Sequence, residues 1–127
     1  IVEEEVAAMG ATFEAFPKDQ ISALVERINE TVPRDAPMVI AGDFNQRIPR
    51  LRQPAHVADR LNHVLADWTI HTAGALPNGP HIDHIATNQW LNLQWAHDWP
   101  AYDHLGRLSD HAGVTCRFTF VVGPHGA

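Results

Sequence analysis

The chain has 127 residues, the size of one domain, and its 45% apolar and 19% charged composition excludes a disordered tail or a coiled coil. Nine Lys and Arg against fifteen Asp and Glu give a net charge of −6, which excludes a broad surface for wrapping a polyanion. Any phosphate ligand must then be held locally, by a metal or a few arginines. The most apolar run, Phe118 to Val122, falls far short of the ~20 residues of a membrane span and reads as a strand. A single cysteine, Cys116, excludes an internal disulfide and a multi-cysteine zinc module. Ile1-Val2-Glu3-Glu4-Glu5 has no initiator Met, no basic region and no apolar stretch of a signal peptide. The expectation is a soluble chain that starts inside something longer, its compartment (cytoplasmic or secreted) unreadable; a trimmed but otherwise complete chain is the alternative.

Residues 1–16 are poorly defined: Val2, Val6, Met9 and Phe13 permit a helix that Gly10 weakens. Pro17-Lys18-Asp19 opens a clearer helix, in which Ile21, Leu24, Val25, Ile28 and Val32 form one apolar stripe. Pro33 and Pro37 stop it. Met38 to Ala41 is a short continuous apolar run, predicting a strand covered on both faces, and Gly42-Asp43-Phe44-Asn45 predicts a turn at its end. Arg47 to Pro54 is a polar loop, and Ala55 to Asp67 a second amphipathic helix with Val57, Leu61, Val64 and Leu65 inward. Strands are predicted at Trp68–Thr72, Ile82–Thr87, Leu91–Trp99 and Gly113–Val122, with Leu76–Pro80 a turn and Ala101–Leu108 a loop. The order predicts one α/β or α+β domain over 1–127: helices layered on a mixed, mainly antiparallel sheet. Polar groups at strand ends are where such folds place their sites.

Three short constellations carry chemistry. Asp43 and Asn45 stand two apart after the apolar strand, a carboxylate and an amide oxygen suited to a hard cation, or simply a strand-ending turn. Asp83, within Ile82-Asp83-His84-Ile85, is costly to bury without a partner, and a histidine is the natural one. In Ser109-Asp110-His111 adjacent side chains face opposite ways, so one can ligate a metal while the other receives Asp83; Ser109 reads as structural. A zinc site built on His81 and His84 lacks a second cluster at ligand spacing. His56, His63, His71, His97, His104 and His125 read as surface residues.

In this order, Gly42-Asp43-Phe44-Asn45, Ile82-Asp83-His84-Ile85 and Ser109-Asp110-His111 resemble the endonuclease/exonuclease/phosphatase family, over about Pro17 to Val122. The resemblance implies Mg²⁺-dependent hydrolysis of a phosphoester by an in-line water, with Mn²⁺ a substitute. It implies that Asp43 orients or deprotonates that water near the metal and that Asn45 holds the scissile phosphate. Asp110 would be a metal-side carboxylate, and Asp83 with His111 the pair facing the phosphate, His111 acting as base or as cationic clamp. It also implies a four-layer sandwich of two halves, of which this chain matches the C-terminal one. The Asn, the metal-binding Glu and the His or Tyr of the other half have no counterpart here, so the resemblance implies a truncated form, inactive or weakly active by itself. The sheet of such a half exposes an apolar face, which the missing half or a dimer partner would cover.

Substrate class is left open between nucleic acid, phospholipid and small phosphate ester. Arg47, Arg50 and Arg52 follow the Asp43 turn and are candidates for flanking phosphates, or an ordinary solvated loop. Trp90, Trp95 and Trp99 can stack bases or meet lipid, but alternation on a strand points to core. The rival reading is a non-catalytic binding or scaffolding module that keeps the fold.

Overall fold

The computed structural model describes residues 20–74 and 76–121; the expected helical pattern at 1–16 and residues Val122 and His125 lie outside them. The chain is mixed α and β, with two helices and antiparallel sheets. Helix α1 spans Gln20–Thr31, close to the segment that the Ile21–Val32 stripe predicts. Strand β1 spans Val39–Asp43, helix α2 Ala55–Val64 and strand β2 Thr69–Ile70. Four strands follow after the loop: β3 Asp83–Thr87, β4 Leu91–Trp99, β5 Tyr102–Asp103 and β6 Gly106–Arg107. The last strand, β7, spans Gly113–Phe120.

The three-stranded sheet has the order β1-β3-β2, with both flanking strands antiparallel to β3. β1 and β2 therefore run parallel to each other, joined through α2, and β3 is inserted between them. Both helices pack on one face of this sheet. There Val25, Phe44, Ile48, Leu61, Val64 and Leu65 form the core, with Ile21, Ile40, Trp68 and Ile70 packed against it. Asn29 ties the two helices: its amide donates to the Val64 carbonyl at 2.8 Å, and its oxygen accepts from the Trp68 indole at 2.9 Å.

Alternation along β1 puts Ile40 on the covered face and Val39, Ala41 and Asp43 on the other. Among the described residues no helix covers that second face, and Val39 is 51% exposed. The expectation that β1 is covered on both faces is thus corrected: its continuous apolar run serves one covered face and one open one. β1 also extends two residues beyond Ala41, because Gly42 and Asp43 keep register with His84 and Asp83. α2 ends three residues before the predicted Asp67, and β2 closes into a turn at His71 instead of continuing to Thr72.

β4 and β7 form a long antiparallel pair with an irregularity between Leu93 and Trp95. The extra residue switches faces, so Leu91 and Leu93 share a face with Phe120 and Phe118, while Trp95 and Trp99 share one with Arg117 and Gly113. Trp95 and Trp99 are 42% and 45% exposed, which corrects their expected place in the core. Arg117 lies over the Trp95 ring at 5.5 Å, sheltering part of it. Trp90 is half-buried, its indole donating to the Arg34 carbonyl. The segment 101–108, expected as a loop, carries the small β5–β6 hairpin. Asp103 accepts from the Leu105 amide at 2.8 Å and Gly106 takes a φ of 128°, both devices of a tight turn. No helix among the described residues is long and apolar enough to cross a membrane.

Candidate functional site

The site begins with the pairing of β1 and β3. Asp43 and Asp83 are direct partners in that register, so two carboxylates meet at the end of the sheet on its open face. Like charges opposite one another are unfavourable unless a cation or donor stands between them. His111, on the segment entering β7, supplies that group. Its Nδ1 lies 2.7 Å from Asp83 Oδ2, and its Nε2 lies 3.7 Å from Asp43 Oδ2. The Nδ1 contact is an ion-pair distance without an aligned hydrogen bond. Asp43, Asp83 and His111 each present a ligand atom within 4.8 Å of the others, the one such cluster among the described residues.

Phe44 and Asn45 fix Asp43 from the other side. Phe44 is buried at 2% exposure against the His84 ring, and its amide donates to the Ile82 carbonyl, carrying the strand pairing one residue past Asp43. Asn45 then adopts a left-handed φ of 55°, a conformation Asn tolerates better than most residues. Its amide donates to Asp43 Oδ1 at 2.8 Å, which occupies one carboxylate oxygen and leaves Oδ2 facing His111.

The remaining predicted residues divide. Asp110 is not brought into the cluster: its side chain is 90% exposed and pairs with Arg107 three residues earlier at 3.3 Å. Both neighbours nevertheless reach one cleft of about 350 Å³, lined by Arg47, His81, Tyr102, Asp110 and His111 among others. Of the three arginines, Arg47 lines this cleft. Arg50 folds back to donate to the Gln53 carbonyl at 2.8 Å, and Arg52 is exposed. Ser109 is an exposed turn residue, its amide held by the Ala101 carbonyl.

Two histidines beside Asp83 in sequence, His81 and His84, do structural work. His84 is fully buried; its Nε2 donates to the Gln46 carbonyl and its Nδ1 accepts from the Thr72 hydroxyl, each at 2.8 Å. That pattern fits a neutral ring, and burial pushes its pKa down accordingly. The two bonds join β3 to the loop behind Asn45 and to the turn after β2. His81 is also buried, with Nε2 2.7 Å from Asp98 Oδ2. Asp98 further accepts from the Asn78 amide at 2.7 Å and its side-chain nitrogen at 3.1 Å. Burial alone would raise the Asp98 carboxyl, but these bonds outweigh it and hold it below the usual carboxylate range. His81 through Nε2 and His84 through both nitrogens are engaged in this way, and neither belongs to the cluster of possible metal ligands among the described residues. His71, expected at the surface, is half-buried, its ring bonded to Thr87 Oγ1 at 2.7 Å and packed at a tilt against Phe118.

Sequence reasoning missed Asp98 and Tyr102. Asp98 pairs with His81 across 17 residues, a distance at which spacing carries no signal. Tyr102 sat in a segment expected to be irregular. No family model matches this chain, and no curated protein or solved structure matches it.

Proposed function

We propose that this chain is a metal-dependent phosphoesterase domain of the endonuclease/exonuclease/phosphatase type, hydrolysing a phosphoester by in-line attack of water. The observation that carries the reading is the register-opposed pair Asp43 and Asp83, with the His111 ring between them at 2.7 and 3.7 Å. Opposed carboxylates at an open sheet end are costly unless they act on a cation, a proton or both.

The donor chemistry suits a hard divalent ion. Mg²⁺ takes one or two carboxylates and keeps several waters, which the half-exposed Asp43 permits. Asp43 would hold the ion, and Asp110 lines the neighbouring cleft that His111 also reaches. When bound, Mg²⁺ or Mn²⁺ supplies charge neutralisation at the phosphate and a more acidic water. Asp43 orients the attacking water and takes its proton as the water oxygen bonds to phosphorus. The ester P–O bond opposite breaks, and the leaving oxygen takes a proton from solvent. Asp83 holds the His111 ring through Nδ1, so that Nε2 faces the phosphate. Asn45, its backbone fixed by Asp43, offers a side-chain amide to a non-bridging oxygen. Phosphoryl transfer asks mainly for such positioning and charge compensation.

The exposed Val39 on β1 and the exposed Trp95 and Trp99 on the β4–β7 pair support a further part of the reading, that a second layer, from another segment or another copy, packs on these sheets. They also favour the rival reading of a non-catalytic binding module. Hydrolysis of bis(4-nitrophenyl) phosphate with Mg²⁺ separates the two. The proposal expects turnover that EDTA abolishes, Mg²⁺ restores and His111→Gln removes. Turnover insensitive to EDTA and to His111→Gln, or absent turnover together with no Mg²⁺-dependent change in the His111 ring resonances, rejects it.

A further inference from the structure

Asp43 and Asp83 belong to the three-stranded sheet, whereas His111 leads into β7 of the separate β4–β7 pair. The contact on which the hydrolytic reading rests therefore joins two sheets, and their spacing at this end decides whether the His111 ring meets Asp83.

Asp98 stands where that spacing is set. It is the penultimate residue of β4 and 4% exposed, and a carboxylate so buried is costly unless it is well bonded. Three donors meet it: the Asn78 backbone amide at 2.7 Å, the Asn78 side-chain nitrogen at 3.1 Å and His81 Nε2 at 2.7 Å. All three come from the segment that leads into β3, and His81 lies two residues before Asp83. Within its own sheet Asp98 is opposite Val114, and Trp99 is opposite Gly113, two residues after His111. The Trp99 indole fills the space that a Cβ on Gly113 would need, which seats this end of β7 on β4. A second contact, His71 against Phe118 with ring centroids 5.0 Å apart, lies further along β7, roughly 16 Å from Gly113. It is too far along the strand to set the His111 ring.

We infer that Asp98 is a positioning residue: through His81 and Asn78 it holds the start of β7 at the distance that brings His111 onto Asp83. The inference rests on the hydrolytic reading for its effect on rate, while the placement itself is measurable without turnover. Groups misplaced by about 1 Å lose much of their catalytic effect, so this tie acts on more than stability.

The test compares Asp98→Asn, His81→Leu, His81→Gln and Asn29→Ala with the parent chain. The His111 ring resonances, identified by their loss in His111→Gln, report placement; kinetics on bis(4-nitrophenyl) phosphate with Mg²⁺ report rate. Asp98→Asn and His81→Leu should shift the His111 ring and lower kcat about 3- to 10-fold, with KM changed less. His81→Gln, whose side-chain nitrogen stands in for Nε2, should restore both. Asn29→Ala, which unties the two helices on the covered face, should lower the melting temperature and spare ring and rate. Asp98→Asn combined with Asp83→Asn should stay within about twofold of Asp83→Asn alone, because both act through one ring. A His111 ring unmoved in folded Asp98→Asn and His81→Leu, or moved as far by Asn29→Ala, overturns the inference. Losses in kcat that multiply in the double variant overturn it too. So does failure of both Asp98→Asn and His81→Leu to fold, which would make the tie a requirement of the fold alone. The ring comparisons need no turnover, so they decide the placement even if the parent hydrolyses nothing and its His111 ring ignores Mg²⁺, the result that rejects the hydrolytic reading.

Discussion

Asp83→Asn separates the cost of the opposed carboxylates from their use. The substitution keeps the shape of Asp83 and removes its charge. One consequence is loss of the ion pair to His111, 2.7 Å long between side chains 25% and 35% exposed. Such partial burial lies between a surface pair and a buried one, so about 1–2 kcal/mol is lost. The opposite consequence is relief of repulsion with Asp43, whose ligand oxygen lies within 4.8 Å. Two like charges at that separation and an effective dielectric of about 40–80 repel by roughly 1–2 kcal/mol. The two effects cancel in folding, so the melting temperature should move by no more than about 2–4 °C. They do not cancel in catalysis, where only the orientation of the ring matters. A loss of 1–2 kcal/mol there lowers kcat by about 5- to 30-fold, with KM changed less. Thermal melts followed by circular dichroism and steady-state kinetics on bis(4-nitrophenyl) phosphate supply both numbers. A melting temperature lowered by about 10 °C with kcat intact would refute the argument, since Asp83 would then be a structural partner of His111 and nothing more.

Replacing the fully buried His84 by Leu strands the Gln46 carbonyl and the Thr72 hydroxyl, and should cost about 2–4 kcal/mol in urea denaturation. Because burial lowers the His84 pKa, the unfolded chain binds a proton near pH ~6.5 before the folded one does. Stability is therefore complete above that pH and declines on acidification below it, levelling once the folded ring is protonated; denaturation midpoints from pH 8 to 5 check the sign. The Asp98 carboxyl, held low by His81 and Asn78, adds a second loss as pH falls below ~3.9, which Asp98→Asn should abolish. Gly113→Ala would put a Cβ 2.5 Å from the Trp99 indole nitrogen and 3.0 Å from its Cε2. The ring must swing outward, at about 1–3 kcal/mol, with a red shift of tryptophan emission as the readout.

Local signals reached the elements more reliably than the pairings between them. The stripe of Ile21, Leu24, Val25 and Ile28 marks α1 because one helix face must be buried, and that face does meet Leu61 and Val64 of α2. The same logic fails for Met38 to Ala41. A continuous apolar run states that both faces shun water, yet Val39, on the strand at the sheet's edge, is half exposed. Gly42 and Asp43 look like a turn in isolation and are drawn into β1 by their partners on β3. Asp43, Asp83 and His111 were legible as separate polar groups at strand ends; what joined them is strand register, which a single sequence does not express. Asp110 illustrates the converse. Its motif singled it out equally well, but a nearby Arg107 offers its side chain a partner at three residues' distance. The bonds of Asp98 to His81 and Asn78, and of His84 to Gln46, are long-range and were invisible for the same reason.

The central claim is that Asp43, Asp83 and His111 form one site for a divalent cation and a phosphate. The most direct measurement is the effect of substoichiometric Mn²⁺ on the histidine ring resonances of the ¹⁵N-labelled chain. Selective broadening of the His111 ring, reversed by excess Mg²⁺ and lost in Asp43→Asn, is the predicted result. Broadening that spares His111 while reaching exposed rings such as His63 or His104, or that persists in Asp43→Asn, would contradict the account.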